Sequence, residues 1–158
     1  MPHAIRSLAM PQSLSNVLVH LVFSTKERRP LLRDAAKRQA MHRYLAGISE
    51  RLGCPSIRVG GTEDHVHVLA RQARTITLAD WVKELKRASS LWAGSQSAGE
   101  FHWQAGYGAF SVSQSQSAEV ERYVAEQAEH HRRFDFQQEF RKLLQLHGVE
   151  WDEHYIWD

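Results

Sequence analysis

A long apolar run near the N-terminus limits the folds that this chain can adopt. Residues 16–25, NVLVHLVFST, are rich in β-branched and apolar side chains and show little polar alternation. Such a run favours a central strand that is covered on both faces. Pro30 ends the extended stretch soon afterwards. Other elements must therefore pack against both sides of the sheet that contains this strand.

Helical and extended patterns alternate along the next part of the chain. Asp34 is placed to cap a helix that runs to about Leu52, and Gly53 is its C-terminal stop. Residues 56–59 and 65–71 read as two short strands. The turn-rich sequence GGTED between them is typical of a hairpin. The first strand is thus followed by a helix and then by a two-stranded hairpin.

A second helix and a fourth strand come next. Thr77 and Asp80 resemble a capping box that opens the helix, which turns its apolar residues inward. A Gly/Ser loop over 94–99 then leads to a strand over 101–113, where paired glycines indicate a bend or a close backbone contact. The inward-facing residues predicted for the helix are Leu78, Trp81, Val82, Leu85 and Trp92.

Two more helices are predicted after the fourth strand. Ser117 is placed to cap a helix that runs to about Arg133, and Asp135 to cap another that ends at Gly148. The order is β-α-β-β-α-β followed by two helices. This order predicts an α+β fold of the ferredoxin-like type, with a four-stranded antiparallel sheet, helices on one face and additional C-terminal helices.

Length and composition fit one globular domain. The 158 residues are 42% hydrophobic and 24% charged, near the globular averages, which argues against wholesale disorder. We expect residues 10–158 to form a single domain and residues 1–9 to be an N-terminal extension, because Met10 reads as a second start. The lone Cys54 fits a reducing cytosol, and no apolar stretch is long enough to span a membrane. We therefore expect a cytoplasmic protein.

Two histidines in the third predicted strand are candidate metal ligands. In TEDHVHVLA, the period of a strand puts His65 and His67 on one face and the valines on the other. Two neutral imidazoles at this spacing can share one divalent ion. The same sequence is also compatible with a half-exposed strand whose two histidines only form hydrogen bonds. Asp64 just ahead could orient an imidazole, or it could be a solvated turn residue.

The helix that begins near Ser117 carries a second candidate pair. Tyr123 and Gln127 are four residues apart and therefore share a helix face. An ordinary amphipathic stripe would explain the tyrosine, but a buried glutamine amide needs polar partners. Its carbonyl oxygen is a suitable ligand for Mg²⁺ or Mn²⁺.

Taken together and in order, the segments of this chain resemble a known family of enzymes. The matching segments are MPQSLSNVLVHLVFSTKERRPLL, DHVHVL, WVKELKRASSLW, WQAGYGAFSVS, YVAEQAEHHRRFDFQQEF and HGVEWDEHYIWD. They resemble the single-tyrosine HUH transposases (TnpA type) of the smallest bacterial insertion sequences. More distantly they resemble the REP-associated tyrosine transposases, which act on repetitive extragenic palindromes.

The resemblance implies a function and a set of site residues. Such enzymes cleave and rejoin single-stranded DNA at insertion-sequence ends through a 5′-phosphotyrosine intermediate, use Mg²⁺ or Mn²⁺, recognise subterminal hairpins and act as homodimers. The tyrosine helix of one subunit lies over the HUH strand of the other, or moves between the two. By the same resemblance His65 and His67 are the HUH pair, Gln127 is the third metal ligand and Tyr123 is the nucleophile.

Basic residues provide the expected DNA contacts. The net charge is only +2, but KERR at 26–29 and KELKR at 83–87 form local positive clusters. A solvated surface is the alternative for each cluster. If the protein binds DNA, it would associate with the nucleoid during its action. The expected DNA-binding residues are Lys26, Arg28, Arg29, Lys83, Lys86, Arg87, His130, Arg132 and Arg133.

Two other functions are compatible with the sequence. A domesticated relative could bind hairpin DNA without cutting it, although the complete set of tyrosine, histidines and glutamine argues against this. A metallohydrolase could use the HVH sequence as a zinc site, and such an enzyme would not need Tyr123.

Overall fold

The computed structural model describes residues 11–96 and 99–158. The predicted N-terminal extension, residues 1–9, lies outside this part of the chain. Within it, strands and helices follow in the order β1 (Leu18–Ser24), α1 (Ala35–Arg51), β2 (Ser56–Gly61), β3 (His65–Arg71), α2 (Leu78–Gln96), β4 (Gly108–Val112), α3 (Ser117–Ala125), α4 (Gln127–His130) and α5 (Phe136–Leu146).

The four strands form one antiparallel sheet in the order β2-β3-β1-β4. This is the ferredoxin-like arrangement that the sequence predicts. Strand β1 pairs with both β3 and β4, and all seven of its residues are buried. The apolar run that opened the sequence analysis is therefore a central strand, as predicted.

Each face of the sheet packs against different helices, because successive side chains of a strand point in opposite directions. Leu21, Phe23, Val66 and Val68 pack with α1 and α2 on one face. Val22 and Phe110 pack on the other face with apolar residues of α5 and the C-terminal segment. None of the described helices is long and apolar enough to cross a membrane. The sheet thus separates two cores, and both candidate histidines lie on the α5 side.

Several helix ends lie where the sequence predicts them. The Asp34 side chain accepts a hydrogen bond from the Lys37 amide, and Asp135 forms a complete capping box with Gln138. Gly53 has φ +79° just after α1, a backbone conformation that glycine adopts without strain. The capping residues therefore set the start of α5, which positions a side chain of the candidate site.

The fourth strand is shorter than predicted. The sequence indicates a strand over 101–113, whereas β4 spans only Gly108–Val112, with a single isolated bridge between Thr25 and Trp103 ahead of it. The carbonyls of residues 104–106 accept hydrogen bonds from the Lys86 ammonium group. This part of the predicted strand is a loop instead, because its carbonyl groups bind the side chain of Lys86 and not a neighbouring strand.

Three helix boundaries also differ from the prediction. Helix α2 continues to Gln96, into the predicted 94–99 loop, and residues 97 and 98 of that loop lie outside the described chain. The single helix expected from Ser117 to Arg133 is divided at Glu126 and ends at His130. Ser117 is not a cap, because a 3-10 turn over 114–116 precedes it and its hydroxyl donates to the Gln114 carbonyl.

Gly60 lets helix α3 approach strand β2 closely, so its substitution should destabilise the fold. A Cβ atom at Gly60 would lie 2.1 Å from the carbonyl oxygen of Val124. We expect Gly60→Ala to lower the free energy of unfolding by about 1–3 kcal/mol, because α3 would have to move. Gly47→Ala in α1 is the control: a Cβ there meets nothing within 4 Å and should stabilise by roughly 0.5–1 kcal/mol. Urea denaturation measures both, and equal effects would contradict the prediction.

Candidate active site

Strand β3 places the two predicted histidines side by side in the interior. His65 and His67 are both fully buried, and their rings lie 5.1 Å apart between centroids. Val66 and Val68 point to the opposite core, as the strand period predicts. The two imidazoles therefore share one face of the sheet, where helix α5 and the segment around α4 cover them.

A buried carboxylate from α5 lies against both histidines. Oε1 of Glu139 is 3.3 Å from Nε2 of His65, 3.1 Å from Nε2 of His67 and 3.0 Å from Nε2 of His131. Burial by itself would raise the pKa of Glu139, but the charges and hydrogen bonds of these histidines hold that pKa well below its usual range. The group is therefore ionised while it is almost completely buried.

The predicted glutamine completes the cluster. Oε1 of Gln127 lies 3.0 Å from Nε2 of His65 and 3.2 Å from Nε2 of His131. Its amide nitrogen donates to the backbone carbonyl of Tyr123 at 3.3 Å. A buried amide with partners for both its oxygen and its nitrogen is well satisfied. The structure thus brings His65, His67 and Gln127 together within one chain.

Tyr123 reaches the same cluster from α3. Its hydroxyl donates a hydrogen bond to Oε2 of Glu139, the oxygen that does not face the histidines. Burial, and then the negative charge of Glu139, raise the pKa of this phenol above its ordinary value. The tyrosine is therefore protonated in this arrangement, and the cluster does not activate it by itself.

Hydrogen bonds to the second ring nitrogen orient each candidate ligand. Nδ1 of His65 is 2.8 Å from Oδ1 of Asp64, and Nδ1 of His67 is 2.7 Å from Nε2 of His20. These contacts leave both Nε2 atoms directed at Glu139. Asp64, whose role the sequence left undecided, thus orients the imidazole of His65. The buried His20 orients the imidazole of His67 in the same way. Glu63 is instead an exposed partner of Arg33.

These partners also set the charge of the histidines. Burial would lower the pKa of His65, but hydrogen bonds to Asp64 and Glu139 raise it to about 9. For His67 and His20 burial dominates, and both pKa values lie below the ordinary value of 6.5. At neutral pH His65 is therefore an imidazolium that lies between the carboxylates of Asp64 and Glu139.

The donor atoms fit a divalent cation. Ligand atoms of His65, His67 and Glu139 all lie within 4.8 Å of one another. Two atoms that are each about 2.1 Å from one ion at tetrahedral or octahedral angles are roughly 3.0–3.4 Å apart. Three of the contacts match that spacing: His65–Gln127 at 3.0 Å, His65–Glu139 at 3.3 Å and His67–Glu139 at 3.1 Å. Two imidazole nitrogens and two oxygens form a mixed donor set of the kind that binds divalent cations.

The sequence interpretation missed Glu139 and His131. Glu139 lies in the first turn of α5, within an apolar stripe that includes Phe136, Phe140 and Leu143. An acidic residue in such a stripe is unusual, because a buried carboxylate needs partners. That pattern was the available signal. Nothing in it identified His65 and His67 as those partners, since they lie some 70 residues earlier in the chain.

The first group of predicted DNA-binding residues lies in the loop after β1. Lys26 and Arg29 are exposed and Arg28 is half-buried. The amide of Thr25 donates to the carbonyl of Asp64 at 2.8 Å. The loop is therefore anchored beside strand β3, close to the histidines. Its cationic side chains are placed to contact the phosphates of a DNA strand that approaches the cluster.

The second group, on α2, is divided by its contacts. Lys83 is exposed and Arg87 pairs with Glu84 on the same helix. The ammonium group of Lys86 donates to three loop carbonyls, including that of Gly106 at 2.7 Å, and burial lowers its pKa to about 8. Lys86 therefore has a structural contact in place of the free cationic group that the sequence indicated.

The third group follows α3. The ring of His130 stacks on Tyr123, with centroids 4.6 Å apart, whereas Arg132 and Arg133 are exposed. Arg132 is 3.7 Å from Glu129. Of the three, His130 is thus the residue that the structure places against the candidate nucleophile.

Comparisons with known proteins agree with this fold. Residues 13–127 match the protein family described as "Transposase IS200 like". A crystal structure of a candidate transposase from Deinococcus radiodurans is similar, with TM-score 0.60 and 24% identity over 73% of this chain and 95% of that chain. The structure of a REP-associated tyrosine transposase bound to a REP hairpin has TM-score 0.54 and 11% identity over 75% of this chain and 70% of that chain. Comparison with the curated proteins gave no match.

The stability of the metal-free protein should decrease as the pH rises towards 9. The pKa of His65 is about 9 in the folded chain against an ordinary value of 6.5. Its protonation therefore stabilises the fold fully below about pH 6.5, and this contribution is lost as the pH rises through about 9. Lys86 has the opposite effect at higher pH, because burial lowers its pKa to about 8 from 10.5.

Asp64→Asn isolates the contribution of His65. The contribution of Lys86 is the same in the wild type and in Asp64→Asn, so it cancels in the difference between their free energies of unfolding. We expect this difference to shrink by about 1–2 kcal/mol between pH 6.5 and pH 9, as measured by urea denaturation with a chelator present. A difference that stays constant over this range would mean that His65 is neutral at pH 7.

Proposed function

Because the chain belongs to the IS200-like transposase family, we propose that it cleaves and rejoins single-stranded DNA through a 5′-phosphotyrosine link at Tyr123. The observation that carries the proposal is the position of one carboxylate. Glu139 accepts the Tyr123 hydroxyl on one oxygen and faces His65 and His67 with the other. The side chain of Glu139 thus contacts both the proposed nucleophile and the candidate cation site.

The proposed reaction uses the groups as the structure arranges them. The phenol oxygen of Tyr123 attacks the scissile phosphorus, a Tyr–O–P bond forms, and the bond to the 3′ oxygen breaks to leave a free 3′-OH. Oε2 of Glu139 accepts the hydrogen bond of the phenol and so orients its oxygen, while the phenol proton passes to solvent and the departing 3′ oxygen takes up a proton from solvent. Because the covalent link conserves the energy of the broken phosphodiester, rejoining by a 3′-OH needs no ATP.

His65, His67, Gln127 and Glu139 would hold the divalent cation, Mn²⁺ or Mg²⁺. Bound there, the cation would polarise the phosphate and stabilise the charge that develops on it. The Asp64 and His20 contacts keep the two imidazoles oriented for this role. Positive charge at this position would also offset the charge of Glu139, which raises the pKa of Tyr123 in the metal-free protein.

DNA hairpins are the proposed substrate. The REP-associated tyrosine transposase with a similar fold is bound to a REP hairpin. Exposed Lys26, Arg29, Lys83 and Arg133 supply cationic side chains for the phosphate backbone. Phosphate contacts of this kind predict that affinity falls steeply as salt increases.

A homodimer remains a prediction from the family resemblance. In this structure Tyr123 reaches His65 and His67 of the same chain through Glu139. We therefore propose that each subunit of such a dimer uses its own tyrosine. Sedimentation analysis tests the dimer, and a monomer at micromolar concentration would contradict it.

Tyr123→Phe should abolish the covalent adduct and leave DNA binding nearly intact. The probe is a labelled single strand copied from the DNA that flanks the gene, incubated with Mn²⁺ or Mg²⁺. Denaturing gels detect the adduct, and fluorescence anisotropy measures binding. Tyr155→Phe is the matched control, because that tyrosine is exposed on the C-terminal segment. It should form the adduct at the wild-type rate.

Each alternative function has a distinct outcome in this experiment. Binding by the wild type without any adduct would overturn the proposal in favour of a non-cleaving hairpin binder. Cleavage that persists in Tyr123→Phe would instead support a metallohydrolase that uses the histidines alone.

Glu139→Gln and Gln127→Ala should each weaken Mn²⁺ binding by at least about tenfold. The first change removes a negative charge from the donor set, and the second removes an oxygen. Calorimetric titration of the DNA-free protein measures the affinity without reference to activity. Gln145→Ala, an exposed position on the same helix as Glu139, is the control. Unchanged affinity in Glu139→Gln would exclude the carboxylate as a ligand.

A further inference from the structure

A cavity of about 630 Å³ opens beside the proposed nucleophile. It lies between the edge strand β4, helix α3 and helix α5. Tyr123 and the buried Glu139 line it, and so does Leu146, which is 77% exposed. The cavity therefore runs from the protein surface to the hydroxyl–carboxylate pair of the site.

The walls of this cavity combine apolar, aromatic and polar groups. Val120, Leu143 and Leu146 supply apolar surface, and the ring of His130 stacks on Tyr123 at an interplanar angle of 27°. Nε2 of His130 is buried and has no hydrogen-bond partner among the described residues. A flat ligand with apolar faces and polar edges matches this mixed lining.

We propose that this cavity receives the unpaired nucleobase of the nucleotide that adjoins the scissile phosphate. The inference rests on the proposed function, since it takes Tyr123 as the residue that attacks the phosphate. A phosphate within reach of the Tyr123 hydroxyl lies at the inner end of the cavity, so a nucleoside attached to it would lie inside the cavity. The volume lies within the range of small-molecule sites and is far too small for a duplex.

The chemistry of the walls agrees with a single-stranded nucleotide. Bases without a pairing partner bind proteins by stacking and by apolar contact, with hydrogen bonds at their edges. The side chain of Gln116, which also lines the cavity, can provide such an edge contact. The exposed Lys142 also lines the cavity and can pair with a neighbouring phosphate. The cavity would thus select the base at the cleavage position, separately from hairpin recognition.

The test replaces single bases of the substrate and fills the cavity from its outer wall. A single strand copied from the flanking DNA is prepared with one abasic site at each position in turn. Leu146→Trp places an indole at the mouth of the cavity, and its exposed position makes misfolding unexpected. Leu91→Trp is the matched control, because Leu91 is 65% exposed on α2 and does not line the cavity.

With the wild type and with Leu91→Trp, one abasic position next to the cut should raise Kd by roughly tenfold. Leu146→Trp should raise Kd for the intact strand by a similar factor, and the same abasic site should then have no further effect. Anisotropy measures Kd, and denaturing gels follow the adduct.

Two results would overturn the inference, and they are distinguishable. If the wild type forms the adduct but the effects of Leu146→Trp and of every abasic site are simply additive, the cavity does not hold the base. If the wild type forms no adduct with the intact strand, the proposed function fails and this inference fails with it.

Discussion

The buried charge of Glu139 is the interaction on which the rest of the site depends. A carboxylate that is almost inaccessible to water is costly unless charged or hydrogen-bonding groups surround it. Here His65, His67 and His131 face one oxygen and Tyr123 donates to the other. Strand β3, helix α3, the turn after α4 and helix α5 each contribute one or more of these groups. Their relative positions are therefore coupled through a single side chain.

This coupling has two consequences for the chemistry. The same carboxylate that orients the Tyr123 hydroxyl also raises the pKa of the phenol, so the metal-free cluster is organised but not activated. The cavity beside Tyr123 leads from the surface to this pair, whereas His65 and His67 are fully buried. The tyrosine thus lies between the open side of the site and its charged interior.

Much of the fold and half of the site could be predicted from local patterns. The period of a strand put His65 and His67 on one face, and helical spacing put Gln127 one turn after Tyr123. Both relations concern residues close in sequence, so the repeat of the backbone determines them. No such local pattern predicted that Glu139 belongs to the site. Two of its partners, His65 and His67, come from a strand some 70 residues earlier, and only the packing of α5 on the sheet brings them to Glu139.

By itself the sequence determined the order of elements, the central strand, the caps of α1 and α5 and the face on which the histidines lie. It could do so because local sterics and hydrophobic periodicity act over a few residues. Tertiary structure decided which oxygen lies between the histidines and that Lys86 holds a loop instead of standing free. It also decided that Tyr123 meets the histidines of its own chain through Glu139. Those outcomes depend on contacts between residues far apart in sequence, which no local pattern encodes.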